Sequence, residues 1–231
     1  MVKNHLKRLA VPNTWNIKKK GRKFIVRPNP GGQSLEYSVP LVVLFRDLLK
    51  KVKTLKEMKY ILQNKEILLN RTRLRDHKAS VGLMDVVSIP ETKKSYRLLL
   101  NKNGKLAAHE IDKTEDNLLL CKIRNKTMVK SGKVQLNFSN GGNLLVDKNN
   151  YAVGDVLLIE MDKKSVKEHL KLEKGVFVYL IGGRHIGVTG RIEEIKGSKL
   201  LFKVDTDEIF ETSKQYAFVI GKDKSIIKMS D

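Results

Sequence analysis

From residue 96 onward the chain is written in short apolar runs that recur about every ten residues. Turn signals separate them: Asn103-Gly104, Asp116-Asn117, Asn140-Gly141-Gly142 and Lys148-Asn149-Asn150. Breaks so frequent exclude long helices, and strands at that spacing build small barrels or sandwiches. We expect a central small β-barrel over residues 93–172 and a C-terminal SH3-like barrel over residues 173–231. The second barrel draws on strands at 176–181, 191–195, 200–204, 209–212 and 217–220 around a glycine-rich turn, and a helical turn at 166–170 links it to the first.

The stretch before this reads differently. Leu41, Leu44, Phe45, Leu48, Leu49 and Val52 recur at helical spacing and predict one apolar stripe facing a core. Lys50, Lys51 and Lys53 close that helix, where its dipole is negative. Thr54 opens a second helix with Glu57 three residues later, a capping box. Leu55, Met58, Ile61 and Leu62 form its buried face, while Lys56, Lys59 and Lys65 point elsewhere. Residues 67–69 predict a short strand turning at Asn70. Beyond it Arg71, Arg73 and Arg75 alternate, so in an extended chain they project from one side. A further strand starts in Gly82-Leu-Met-Asp-Val-Val-Ser-Ile. Residues 41–92 therefore read as a helix–helix–hairpin module with one basic face, and the chain as a whole as α+β.

Residues 1–40 carry no such pattern. Four of the five prolines (Pro12, Pro28, Pro30 and Pro40) stand here with Gly31-Gly32, which biases the segment toward extended or turn structure. Its first 35 residues hold nine lysines and arginines, no acidic residue and the chain's only tryptophan. A segment so one-sided cannot neutralise itself and calls for an anionic partner, of which a polyphosphate backbone is the obvious one. We expect this extended basic arm to become fully ordered only on that partner. Deleting residues 1–35 is then expected to abolish stable association and leave the body folded. The bias continues downstream: residues 1–100 hold 23 Lys/Arg against 7 Asp/Glu, residues 101–231 hold 23 against 18, and the net charge is +21. Most electrostatic contact should come from the N-terminal half.

Other chemistries find little support. Cys121 is the only cysteine, which leaves no disulfide framework or thiolate cluster and fits a reducing, cytoplasmic setting. It sits in the apolar run Leu118-Leu-Leu-Cys-Lys-Ile and reads as a small buried hydrophobe. His77, His109, His169 and His185 show no ligand spacing, so no metal or cofactor is expected. The start of the chain lacks the apolar core of a secretory signal, and its apolar runs are too short to span a bilayer. The glycines of Gly182-Gly-Arg-His-Ile-Gly match neither a phosphate-cradling loop nor a dinucleotide fingerprint, and a tight barrel turn accounts for them.

The candidate contacts form three groups. In the arm, His5, Lys7, Arg8, Lys18, Lys19, Lys20, Arg22, Lys23 and Arg27 could be a solvated charge run, but with no acid nearby phosphate contact is the better reading. Trp15 either stacks on a base or buries its indole in the chain's own body, and packing is the commoner fate of a lone tryptophan. In the two-helix module, Lys50, Lys53, Lys56, Lys59, Arg71, Arg73 and Arg75 face RNA, or else the arginines protect an edge strand. At the glycine-rich turn, Arg184 and His185 contact RNA or protein.

A resemblance runs through these same residues. His5-Leu-Lys-Arg-Leu-Ala-Val-Pro12-Asn-Thr-Trp15-Asn-Ile-Lys-Lys19 resembles the N-terminal signature of the archaeal and eukaryotic S4e family of small-subunit ribosomal proteins. Residues 24–27 before Pro28-Asn-Pro30-Gly31, then Val39-Pro40-Leu41, are similar to the rest of that leader. Residues 41–90 resemble the S4-type (αL) RNA-binding fold also found in pseudouridine synthases and tyrosyl-tRNA synthetases. Gln135-Leu-Asn-Phe, Gly154-Asp-Val-Leu-Leu-Ile and Lys171-Leu-Glu-Lys-Gly175 resemble the family's central region. Gly182-Gly-Arg-His-Ile-Gly187-Val-Thr-Gly190-Arg-Ile is similar to its KOW module, and Phe210-Glu-Thr with Phe218-Val-Ile-Gly221 to its tail. The family pattern has Pro and His where Gly32 and Gln33 stand here, and an aspartate near Asn140-Gly141 that this chain lacks. The resemblance implies a structural ribosomal protein, of archaeal length, that binds small-subunit rRNA beside neighbouring ribosomal proteins without cofactor, small-molecule substrate or membrane. Two rivals are an RNA-modifying enzyme docking through an αL module and a transiently bound KOW-type transcription or translation factor.

Overall fold

The computed structural model describes residues 5–130, 132–147, 149–204, 208–222 and 224–229. Lys3 of the basic arm and Lys148 of the last turn signal lie outside them. The fold is mostly β with few helices, and the chain divides into two compact units, Met1–Leu100 with Gly104–Asn117 and Asn101–Asn103 with Leu118–Asp231. Among the described residues no helix is long and apolar enough to cross a membrane.

The first unit is built on an antiparallel sheet in the order Thr72–Arg73, Leu68–Leu69, Val86–Ile89, Lys94–Leu100, Leu106–Ile111. Its last two strands were expected in the central domain beginning at residue 93. Val86↔Arg97 and Ser95↔Ile111 pairing instead makes them continue the sheet of the preceding module, because Leu98, Leu99, Leu100 and Leu106 are all buried in its core. Helix Leu55–Asn64 forms as its cap predicts: the Glu57 N–H donates to Thr54 Oγ1 at 3.2 Å, and the Glu57 carboxylate accepts the Lys53 N–H at 2.7 Å. Those bonds hold the Glu57 carboxyl below its ordinary range, the Lys53 N–H foremost. Met58 and Leu62 face inward, at the i, i+4 spacing of one helix face.

The preceding helix departs from expectation. Only Leu41–Val43 is α-helical; the chain widens into a π-helical turn over Leu44–Leu48, where the Leu49 N–H reaches back to Leu44 O at 2.9 Å. Leu41 to Phe45 are all buried, so this short helix is wrapped on every side instead of carrying a single stripe. Lys50, at φ 54°, turns into the left-handed region and ends it. In the hairpin, Asn70 (φ 47°) and Arg71 (φ 65°) are the two central residues of a tight turn joining Leu68–Leu69 to Thr72–Arg73. Arg71 is therefore a turn residue, and the three arginines do not share one strand face.

Residues 5–40 belong to this unit instead of standing apart from it. Leu6–Lys7 pairs antiparallel with Phe24–Ile25, and Ser38–Pro40 pairs with Ser80–Gly82. Trp15, 1% exposed, sits beside Leu106, the Leu106 N–H donates to Thr14 O at 2.6 Å, and the indole N–H donates to Leu35 O at 3.1 Å. Val11 and Ile25 are also buried. Deleting residues 1–35 would remove all three from the core, so this truncation is expected to destabilise the body and not to leave it folded.

The second unit holds two five-stranded antiparallel sheets. One runs Asn143–Val146, Val134–Phe138, Leu118–Met128, Val156–Glu160, Ser165–Leu170. The other runs Ile209–Ser213, Lys199–Lys203, Thr189–Lys196, Phe177–Leu180, Ala217–Gly221. Residues 166–170, expected as a helical turn, are a strand: Lys164 at φ 50° turns the chain back so that Leu170 pairs with Val156. In the glycine-rich turn, the Tyr216 ring lies 2.4 Å from where a Cβ on Gly182 would stand, and Gly187 has φ +80°. Close packing and backbone sign account for both glycines.

Lys122 is buried between the two sheets of this unit, and its ammonium donates to Gln215 O at 2.7 Å and Ala217 O at 2.5 Å. Burial, with a smaller push from Lys214, lowers its pKa to about 8. The folded state then holds fewer protons than the unfolded state between about pH 8 and 10.4, so stability rises with pH across that window. Chemical denaturation from pH 7.5 to 10 should show this rise in the native chain and a flatter profile in Lys122→Met.

Candidate nucleic-acid interface

The arm presents its cations on a closed loop. The Leu6–Lys7 and Phe24–Ile25 ribbon brings the loop's two ends together, the Arg8 N–H donates to Lys23 O at 2.9 Å, and Arg8 Nη1 donates to Lys18 O at 2.8 Å. Arg8 is thus half-buried and shapes the loop. Lys19, also half-buried, donates to Asn13 Oδ1 at 2.9 Å. His5, Lys7, Lys18, Lys20, Arg22, Lys23 and Arg27 are exposed. Trp15 takes the packed one of its two expected fates: its indole is enclosed and hydrogen-bonded within the chain, so it is not one of the RNA contacts.

A second cationic patch lies on helix Leu55–Asn64 and the loop that follows the hairpin. Lys50, Lys53, Lys56 and Lys59 are exposed, as are Arg73 and Arg75. Arg71 pairs with Asp116 at 3.3 Å, which ties the turn to its own unit and reduces its value as a phosphate ligand. Residues 76–78 join the arm to this patch. The Asn29 N–H donates to Lys78 O at 2.9 Å, and Asn29 Nδ2 donates to Asp76 at 2.6 Å. His77 is held below its ordinary range, first by burial, then by Lys59 and Lys78 against the opposing pull of Asp76. Backbone donation from Lys78 holds the Asp76 carboxyl low. Lys78 and the exposed Phe24 are surface features the sequence reading passed over. Neither belongs to a periodic pattern, and only the fold carries them to the cationic side.

Lys51 and Lys65 serve the structure. Lys51 Nζ donates to the Tyr96 hydroxyl at 2.7 Å and lies 4.5 Å from its ring centroid, while Lys65 pairs with Glu91 at 2.7 Å. Arg184 is exposed at the tip of its turn in the second unit; beside it, His185 packs on Phe210 with ring centroids 4.1 Å apart. Cys121 is buried with Asn140 Nδ2 3.4 Å from its sulfur, and no cluster of metal-ligating side chains occurs among the described residues.

A cationic loop of this kind, fused to strand-rich units, has close counterparts. Residues 2–34 match the family model of the RS4NT (NUC023) domain, and residues 92–166 that of Ribosomal family S4e. The small ribosomal subunit protein eS4 of Methanococcus vannielii is 37% identical over 240 residues, which cover 98% of this chain and 98% of its own. The chain belongs to the S4e family. A second S4e relative, from Methanocaldococcus jannaschii, is 36% identical over 241 residues with the same coverage. The crystal structure of the 30S ribosomal protein S4e from Thermoplasma acidophilum superposes with a TM-score of 0.70 at 31% identity, over 80% of this chain and 96% of that one. The two departures from the S4e pattern have local uses in this structure. Gln33 pairs with the Leu83 backbone in both directions, at 2.8 and 3.0 Å, and Asn140 Oδ1 caps the Gly142 N–H at 3.0 Å.

Proposed function

We propose that this S4e chain is a structural constituent of the small ribosomal subunit, holding rRNA by charge neutralisation and shape. The observation that carries the reading is the acid-free cationic loop of residues 18–23, pinned by Arg8 and seated on a core anchored by Trp15. Lysines and arginines there bind phosphate oxygens, giving position more than sequence choice. Residues 41–92 act as an αL-type module that lays Lys53, Lys56 and Lys59 along A-form backbone, whose deep major groove closes off base reading. The central β domain expected at 93–172 keeps the sheet that begins at Leu118, without the two strands that join the first unit. Residues 173–231 form a KOW-type, SH3-like barrel; both are nearer neutral and suited to neighbouring ribosomal proteins or protruding RNA. The chain works in the cytoplasm, on the ribosome.

Quantitative recovery from sedimented small subunits tests this. One copy per subunit, retained through a high-salt wash, is the expected result. Loss of the protein in moderate salt would replace the reading with that of a transient factor. Base modification of rRNA by the purified chain would replace it with that of an enzyme.

A further inference from the structure

We infer that His5 and Phe24 form a shelf on which one unpaired base of the rRNA stacks, with Lys7 and Lys23 taking its flanking phosphates. This rests on the rRNA-binding reading above and adds to it a point of contact with a base. The two-stranded ribbon assembles the shelf. Lys7 stands directly opposite Phe24, so the two side chains share a face, and His5, two residues before Lys7, falls on the same face. The neighbouring pair, Leu6 and Ile25, turns the other way, and Ile25 is buried. Phe24 is left 48% exposed, its ring in an edge contact with His5 at 5.4 Å between centroids and with Lys23 Nζ 5.6 Å from its centre.

Three features select the occupant. An exposed phenylalanine gains by being covered, and its ring, already supported by a second ring and a cation, offers a π face to a flat partner. The first 35 residues contain no carboxylate, so the segment that builds the shelf offers only positive charge. Nucleic acid combines a flat ring with a phosphate on either side, and aromatic stacking accepts any base. A paired base hides both faces inside the A-form helix, which leaves unpaired nucleotides of a loop, bulge or end.

The full-length chain is titrated with a small-subunit rRNA transcript and, separately, with a fully paired RNA duplex, at several salt concentrations. Phe24→Ala and Phe24→Leu should each weaken rRNA binding by roughly 5- to 150-fold, the range for loss of one stacked base, without changing the slope of affinity against salt. Neither should alter duplex binding. Phe24→Trp should retain affinity, and its new indole emission should be quenched by rRNA and not by duplex, over the constant signal of buried Trp15. An unchanged Phe24→Ala, or a Phe24→Leu that binds like the native chain, would overturn the shelf. So would weakening confined to incorporation into subunits, which would assign Phe24 to a neighbouring protein. If the unmutated chain does not bind rRNA, the wider reading fails before any substitution is made.

Discussion

Replacing Trp15 by alanine is expected to destabilise the first unit by about 3–5 kcal/mol, the range for truncating a fully buried aromatic side chain. The indole is 1% exposed, and its N–H satisfies Leu35 O, so the substitution both opens a cavity and leaves a carbonyl without its donor. For a unit of this size that corresponds to a fall in melting temperature of more than about 10 °C. Calorimetry should show the shift in one transition and leave the transition of the second unit, Leu118–Asp231 with Asn101–Asn103, in place. Trp15→Phe, which keeps most of the volume and loses only the donor, should fall between. A melting temperature unchanged in Trp15→Ala would mean that the tryptophan does not anchor the N-terminal segment and that the arm is detached from the body.

The second large effect is electrostatic. Changing Lys18, Lys20, Arg22 and Lys23 together to glutamine should lower affinity for small-subunit rRNA on the order of a few hundred-fold near physiological salt. The slope of log affinity against log salt should fall by roughly 3, as four released phosphate contacts require. All four side chains are exposed, and the loop is closed by backbone groups and Arg8, so the circular dichroism and melting of the variant should match those of the native chain. Equal affinity in the variant would move the main contact to the patch around Lys56 and Lys59. The two experiments separate seat from charge: Trp15→Ala removes what holds the loop, and the glutamine variant keeps the loop and removes its ligands.

Elements whose evidence is local were legible in the sequence. The Thr54–Glu57 cap predicted the start of helix Leu55–Asn64 because both partners lie within four residues. The strands of the last sheet followed from alternation between glycine and polar turns, and Val134–Phe138 alternates in burial as a half-buried strand should. Elements decided by distant pairing were misread. Val166 and Leu170 are spaced for a helical turn as well as for a strand, and only the partner strand Val156–Glu160 decides between them. Five consecutive apolar residues at 41–45 fit a stripe equally poorly and well, until the surrounding core encloses them all. The cationic residues of the arm were legible through their lack of acidic neighbours, but their grouping was not. The seat of Trp15, the capture of Arg71 by Asp116 and the meeting of His5 with Phe24 all depend on contacts between segments far apart in the chain.

The place of Trp15 beside Leu106 has a further consequence for how the protein is made. Its binding pocket is encoded about ninety residues downstream, so at ordinary synthesis rates the N-terminus waits roughly 5–20 s for a home. Throughout that interval the acid-free leader has no folded seat to hold it. Early contact of the leader with the RNA it is proposed to bind would keep that delay from becoming misdirected adhesion.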